Sequence, residues 1–537
     1  MSKFNKTKTV SSQKTVNLAG GVAYKESSKL ELVSLLLTSF AQSKFYEKEE
    51  KTNQRLIDLI EKNQPDFVAK SAIYARNEFG MRSISHITAA ELAKFVSNQP
   101  WAKSFYNKIV RRPDDMMEIL AYYMSKKGNK LTNSMKKGFA EAFTKFDAYQ
   151  LGKYRGEGKD FKLVDLANLV HPTPVQGDKF MVDVDRKEYI DILNKKLEVA
   201  KKKNNADIIK GVQEKLDTLK RVEGETVKIH ALEALVLDLL RSKGTWESEL
   251  SKAGQMAKTE EEKETFKKDA WTKLINERKI GYFALLRNLR NIVEQAPDMI
   301  DKACEMLTDI KLIKNSLVLP FRFLVAYKEL QDLGRSNSDY RKVLVALNTA
   351  TELSLDNIPK FSGRTLVVVD SSGSMTSGHL AKSKVSCAEA AAQFAAAIAK
   401  KNSCDLMRFD DNAEYKFYNP SDSLMTITNI YRFACAGTNF NSIFQTANKA
   451  YDRIIILSDM QGWVGGGAPT ASFKTYCSKY GANPYIYSFN LNDYGSLMFP
   501  ESRICALAGF SDKVFDIMAL LETDRQALIH KIEEVEI

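Results

Sequence analysis

Arg364–Met375 read "RTLVVVDSSGSM": four apolar residues run straight into an aspartate and a cluster of serines. A continuous β-branched run is the chemistry of a strand buried on both faces. A carboxylate and three hydroxyls at the end of such a strand need partners that an apolar core cannot supply.

Reading outward, "NIPKFSGR" forms a Pro/Gly-containing joint just before this stretch, and the pattern changes character after it. Strand-like runs "TLVVVD", "CDLMRF", "RIIILSD" and "PYIYSFN" alternate with helical runs such as "LAKSKVSCAEAAAQFAAAIAKK" and "FNSIFQTANKA". This alternation predicts an α/β, Rossmann-like fold with a parallel, doubly wound sheet over residues 361–537. Ligands of such sheets bind outside the carboxyl ends of the strands. Asp370, Ser372 and Ser374 sit at one such end, Thr438 of "AGTNF" on a second loop, and Asp459 of "LSDMQ" at another. All five offer hard oxygen donors, the set that suits a magnesium ion keeping some of its waters. The sphere they make is unfinished, which leaves a position for a carboxylate or phosphate from a partner. Asp, Ser and Gly clusters are also ordinary turn chemistry. Placement at the ends of buried-type strands, in suitable order, favours the cation site.

The chain has 537 residues, too many for one core. It contains no run of about eighteen apolar residues, and "MSKFNKTKTVSSQKTV" at its start is polar. These features predict a soluble, unexported, cytoplasmic protein with no membrane association. Cys304, Cys387, Cys404, Cys435, Cys477 and Cys505 are scattered without a CxxC pair, which suits reduced thiols and argues against zinc. The net charge of +12 is segregated: residues 1–360 carry 63 Lys/Arg against 49 Asp/Glu, and residues 361–537 carry 16 against 18. A basic module joined to a slightly acidic one suggests that the first binds a polyanion, with solubility as the plain alternative.

The basic region reads as nearly continuous helix over residues 17–360, behind a flexible N-terminus of residues 1–16. "KLELVSLLLTSFAQ", "PDFVAKSAIYARNEFG", "DDMMEILAYYMSKKG" and similar segments space apolar residues three and four apart. Successive amphipathic helices predict stacked hairpins of the solenoid kind. "KKLEVAKKKNNADIIKGVQEKLDTLKR" reads as a solvated helical face. From Lys126 to Lys162 there are ten Lys/Arg against four acids, Lys136, Lys137, Lys153, Arg155, Lys159 and Lys162 among them, with Tyr154 and nearby His171 interleaved. Cations for phosphates and aromatic faces for splayed bases suit RNA; the alternative is an exposed helical surface.

"DSSGSM", "GTN" and "LSD" resemble the metal-ion-dependent adhesion site of a von Willebrand factor A domain. "YARNEFGMRSISHITAAELA", "FKLVDLANLVHPTP", "GYFALLRNLRNI" and the segment running into "DSSGSM" resemble the TROVE module of the Ro autoantigen family, of bacterial or phage type. The resemblance implies an α-helical, HEAT-like repeat ring closed against the A domain. It further implies two RNA sites: a basic outer face for a Y or Y-like RNA, and a hole admitting single-stranded 3′ ends of misfolded RNA. Arg82 and His86 of "MRSISH", with Arg287 and Arg290 of "LLRNLRN", are candidates for the inner surface, although a packed histidine is at least as natural at His86 and His171. On the outer face, Val164 and Asn168 stand where relatives look basic, which shifts the expected contact to Lys159 and Lys162.

Two functions follow. The first is a noncatalytic, monomeric scaffold that captures noncoding RNA for quality control and presents it to other factors such as an exoribonuclease, with an unknown protein ligand on the A domain. The second is a magnesium-dependent phosphoesterase acting on RNA. Hydrolysis by that route needs a positioned base or second metal, and neither a spare carboxylate cluster nor a paired histidine motif is evident. A purely protein-binding adhesion module would leave the basic region unexplained.

Overall fold

The computed structural model describes the chain except residues 1–12, 40–46, 97, 129, 157–160, 242–245, 317, 319, 332–337, 378–383, 434, 468, 493, 501–504, 509–517, 519–523 and 525. It divides into two compact units: the described residues of Met1–Thr88 with Leu250–Glu536, and those of Ala89–Glu249.

In the first unit, β1 (Lys14–Val16) and β2 (Val22–Lys25) form an antiparallel hairpin. The flexible N-terminus expected over residues 1–16 therefore needs correcting at its end, because Lys14–Val16 are ladder-bonded strand. Helices Ser28–Thr38, Glu49–Lys62 and Pro65–Asn77 follow. The first is capped by Ser27, whose side chain accepts from the Leu30 N–H and satisfies one of the open donors at the helix start.

The second unit is helical apart from one antiparallel pair, β3 (Met181–Asp185) with β4 (Thr226–His230). These strands bracket a helical hairpin, Arg186–Lys202 and Ala206–Leu219, whose buried residues form only a narrow seam (Tyr189, Leu193, Leu197 and Ala200 against Val212, Leu216 and Leu219). Its long lysines are mostly solvated.

Back in the first unit, a six-stranded sheet is built from β5 (Thr365–Asp370), β6 (Asp405–Phe409), β7 (Ala413–Lys416), β8 (Arg453–Ser458), β9 (Tyr485–Asn490) and β11 (Cys505–Ala508). The short β10 (Ser496–Leu497) instead joins β2. The sheet order is β11-β9-β8-β5-β6-β7. All neighbours are parallel except β6 and β7. The sheet is thus mixed rather than wholly parallel, because β7 returns by a tight turn that allows only antiparallel pairing. β5 and β8 are buried at every residue, as continuous Val/Ile/Leu runs require. From β5 the chain moves outward through β6 and then crosses back to β8 on the other side. The loops after β5 and β8 consequently part at a topological switch point.

The hairpin at the start of the chain belongs to this core. Tyr24 and Leu30 pack in one cluster with Leu366, Phe440, Ile454 and Met498.

Candidate cation site and RNA-facing residues

Three strand ends each deliver an aspartate: Asp370 closes β5, Asp410 follows β6 and Asp459 follows β8, all buried. Asp410 pairs with Arg408. Among the described residues, Asp370 and Asp459 are met by hydroxyls and backbone N–H groups instead. Asp370 Oδ1 accepts from the Ser372 N–H at 2.9 Å, and its Oδ2 accepts from Ser458 Oγ at 2.5 Å. Asp459 Oδ1 accepts from the Gln461 N–H at 3.2 Å, while its Oδ2 is buried without a hydrogen-bond partner.

Burial pushes both carboxyls up from their ordinary range; the charge of Asp370 adds to this at Asp459, and that of Asp410 at Asp370. The Ser374 hydroxyl lies against Asp459 and pulls the other way. Ser372 Oγ and Ser374 Oγ are 3.4 Å apart on the same loop.

Thr438 lies on a third loop and is buried. The Gly373 N–H donates to the Ala436 carbonyl at 3.1 Å, joining that loop to the first. The Trp463 and Val464 N–H groups donate to the Thr438 carbonyl at 3.0 and 3.1 Å, joining it to the loop after β8. The loops approach closely at Gly437, where a Cβ would stand 2.4 Å from Asp411 Oδ1 and 2.6 Å from Val464 Cγ2 and would have to displace both side chains. The five residues read from the sequence are all buried and lie on three loops that these backbone hydrogen bonds join.

Two buried, mutually repelling carboxylates, one with an unpartnered oxygen, beside three hydroxyls fit a hard divalent cation. Among the described residues no group of three or more His, Cys, Asp or Glu side chains gathers as a metal site, so the donor set here is hydroxyl-rich. Sequence reading missed Ser458, Ser371 and Asp410. Ser371 Oγ lies 3.3 Å from Asp410 Oδ2 and 3.1 Å from the Phe409 carbonyl, tying the β5 and β6 ends together. The available signal was a polar residue closing an apolar strand, as in "ILSD" and "MRFDD".

The basic candidates divide between the units. In the second, helix Asn133–Ala142 carries Lys136 and Lys137 and packs on helix Leu163–Val170. Lys162 is the exposed N-cap of the latter, and His171 its exposed C-cap with φ of 51°. The Leu163 N–H donates to the Arg155 carbonyl at 3.0 Å, which seats the 153–155 segment at the same helix end. Tyr154 is flanked by cations, Arg112 at 4.5 Å and Lys153 at 5.6 Å from the ring centre. Arg155 is engaged internally, with its side chain 14% exposed and its guanidinium bonded to the Leu240 carbonyl and, at 2.9 Å, to Asp238. Lys159 lies outside the described residues.

In the first unit, Arg82 is half-buried, and His86 on helix Ser83–Leu92 is 3% exposed, which assigns it to packing. Arg287 and Arg290 share helix Tyr282–Gln295; Arg290 pairs with Glu294 at 3.2 Å, whereas Arg287 is exposed. Crowding by surrounding atoms, then the like charge of Arg287, lowers the pKa of Arg322, a neighbouring guanidinium that sequence reading did not single out.

A helical module followed by an A-type α/β domain defines the class. The TROVE domain model matches residues 21–357 and the Ro60 vWA domain model residues 364–519. The chain belongs to the Ro family. It is 26% identical over 298 residues to telomerase protein component 1 of Rattus norvegicus and 24% identical over 301 residues to that of Mus musculus. Each match covers 50% of this chain but 11% of the relative, so the chain spans a small part of those proteins. The crystal structure of the Deinococcus radiodurans Ro (RSR) protein superimposes with a TM-score of 0.56 at 16% identity, covering 92% of this chain and 99% of that one, a likeness of fold. No helix among the described residues is long and apolar enough to cross a membrane.

Proposed function

We propose that the protein is a noncatalytic scaffold for noncoding RNA, monomeric and cytoplasmic, acting in RNA quality control. It would hold a Y or Y-like RNA on the basic face that carries Lys136, Lys137, Lys153 and Lys162, and take single-stranded 3′ ends of misfolded RNA on surfaces that include Arg287. The observation that carries this reading is segregation. The excess of +14 lies wholly in residues 1–360, while the acidic oxygen cluster lies in the A domain. Lysines that reach solvent gain affinity by releasing counterions from phosphates and do not need a buried acid.

At the A domain, Asp370, Ser372, Ser374, Thr438 and Asp459 would hold one magnesium ion, directly or through water. When bound, it supplies a Lewis-acidic position for an oxygen of a protein partner, such as an exoribonuclease that receives the captured RNA. The chain's own part is to bury and orient the two carboxylates. A further carboxylate at the neighbouring strand end, Asp410, is held by Arg408, which disfavours it as the general base a phosphoesterase would need.

Gel shifts with a structured RNA bearing a free 3′ tail against the same RNA made blunt test the scaffold. Tighter binding of the tailed form, steeply weakened by salt, is expected; equal binding removes the threading idea. Cleavage of either RNA on addition of magnesium would establish the phosphoesterase instead.

A further inference from the structure

The loop after β8, which carries Asp459 of the candidate cation site, is held by the β1–β2 hairpin. Asn17, buried in the β1–β2 turn, accepts at Oδ1 from the Ala19 and Gly21 N–H groups at 3.1 and 2.8 Å. Its Nδ2 donates to the Gly462 carbonyl at 2.6 Å. Next to it, the Leu18 N–H donates to Gln461 Oε1 at 2.9 Å. Gln461 is fully buried, and its own N–H is the group that holds Asp459 Oδ1. On its other side, Gln461 Nε2 donates to Ser496 Oγ at 3.3 Å, and Ser496 pairs with Lys25 of the same hairpin. The loop is thus gripped twice by one element. The approach is close enough that a Cβ at Gly21 would stand 2.0 Å from the Gly462 carbonyl oxygen.

The loop needs such restraint. Met460 adopts φ of 60°, a left-handed conformation that a side chain other than Gly adopts at a cost. Its N–H is held at 3.0 Å by Ser458 Oγ, the hydroxyl that also donates to Asp370. Left to itself, this backbone would relax, and Asp459 would lose the Gln461 N–H that holds its Oδ1.

We infer that Asn17 and the turn through Gly21 are positioning residues of the cation site, acting on Asp459 through Gln461 and Gly462. This rests on the magnesium reading given above. The hairpin runs directly into helix Ser28–Thr38, so the A-domain site is built in part by the first residues of the module that carries the basic charge. Linkage is reciprocal: if hairpin docking favours the cation, the cation favours hairpin docking to the same degree.

The test uses the full chain and magnesium alone. Asn17→Asp keeps the acceptor for Ala19 and Gly21 but cannot donate to Gly462. Calorimetry should show its magnesium Kd raised about three- to tenfold, the share of one buried hydrogen bond. Val22→Thr, at an exposed position of the same hairpin, should leave the Kd unchanged. Hydrogen exchange of the unsubstituted protein provides a readout that needs no variant: magnesium should slow exchange of the amides of residues 17–23. Magnesium bound with the same Kd by Asn17→Asp, or bound by the unsubstituted protein with no added protection of the hairpin, overturns the inference and leaves the cation site standing. No magnesium binding by the unsubstituted protein removes the cation reading itself, and the inference with it.

Discussion

Ser458, the last residue of β8, donates its hydroxyl hydrogen to Asp370, the last residue of β5, at 2.5 Å. The bond orients a carboxylate that the core otherwise disfavours, because hydrogen bonds to the charged form offset part of its desolvation. Ser458→Ala should weaken magnesium binding about tenfold, the scale of one hydrogen bond to a charged group. Calorimetry checks this, and an unchanged Kd would show that Asp370 needs no brace.

Removing the charge while keeping the shape should separate stability from binding. Asp370→Asn relieves the repulsion between two buried carboxylates and is expected to stabilise the metal-free protein by about 1 kcal/mol, as neutralising an uncompensated buried charge does. Magnesium binding should be lost, and affinity for RNA should survive because the basic charge lies elsewhere. Thermal melting in EDTA, calorimetry and gel shifts read the three outcomes.

Metal-free stability should depend on pH through this pair. Burial, then the Asp370 charge, pushes Asp459 up to about 7, and burial pushes Asp370 up to about 6. Unfolded aspartates titrate near about 4. As pH rises between about 4 and about 7, the unfolded chain sheds protons that the folded protein retains, so this contribution to stability falls with pH. In EDTA, the melting temperature of the unsubstituted protein relative to Asp370→Asn should therefore fall from pH 5 to pH 7.5. Magnesium, competing for the same oxygens, should raise the melting temperature more at pH 7.5 than at pH 5.5. A difference that grows in the other direction would place the charges outside the core.

On the helical side, Lys136→Glu, Lys137→Glu and Lys162→Glu combined should weaken binding of a structured RNA more than binding of a short single strand. The slope of log affinity against log salt should become shallower by about 2 to 3, one phosphate contact per lysine. The melting temperature should hold, since these side chains are at the surface or half-buried. Equal loss for both RNAs would merge the two proposed sites into one.

Arg155→Ala should behave differently from its neighbours. Its guanidinium is committed to the Leu240 carbonyl and to Asp238, so the expected loss is about 1–2 kcal/mol of stability. RNA affinity of the folded fraction should change little. Strong RNA loss without destabilisation would return Arg155 to the RNA face.

Much of the A domain was legible because its signals are local. "TLVVVD" and "RIIILSD" are continuous β-branched runs, and such runs become central strands wherever both faces can be buried. Each polar residue that closes a run must then appear at a strand end, so Asp370 and Asp459 could be placed without knowing the topology. Helical periodicity spoke in the same way for Ser28–Thr38 and Pro65–Asn77.

What the sequence could not decide depends on groups far apart along the chain. Nothing in "TVNLAGG" announces that Asn17 will donate to Gly462, because that bond exists only once β2 pairs with β10 and Tyr24 enters the sheet's core. Arg155 suits RNA by residue type and His86 suits either RNA or packing; only the fold shows that Asp238 holds the Arg155 guanidinium and that His86 is buried. By itself the chain determined which segments would be strand or helix, and that acidic and hydroxyl side chains would close the strands, since backbone propensity and apolar periodicity act between near neighbours. Which of those side chains share one buried site was left to the tertiary structure, because hydrogen bonds and like charges act across space whatever their separation in sequence.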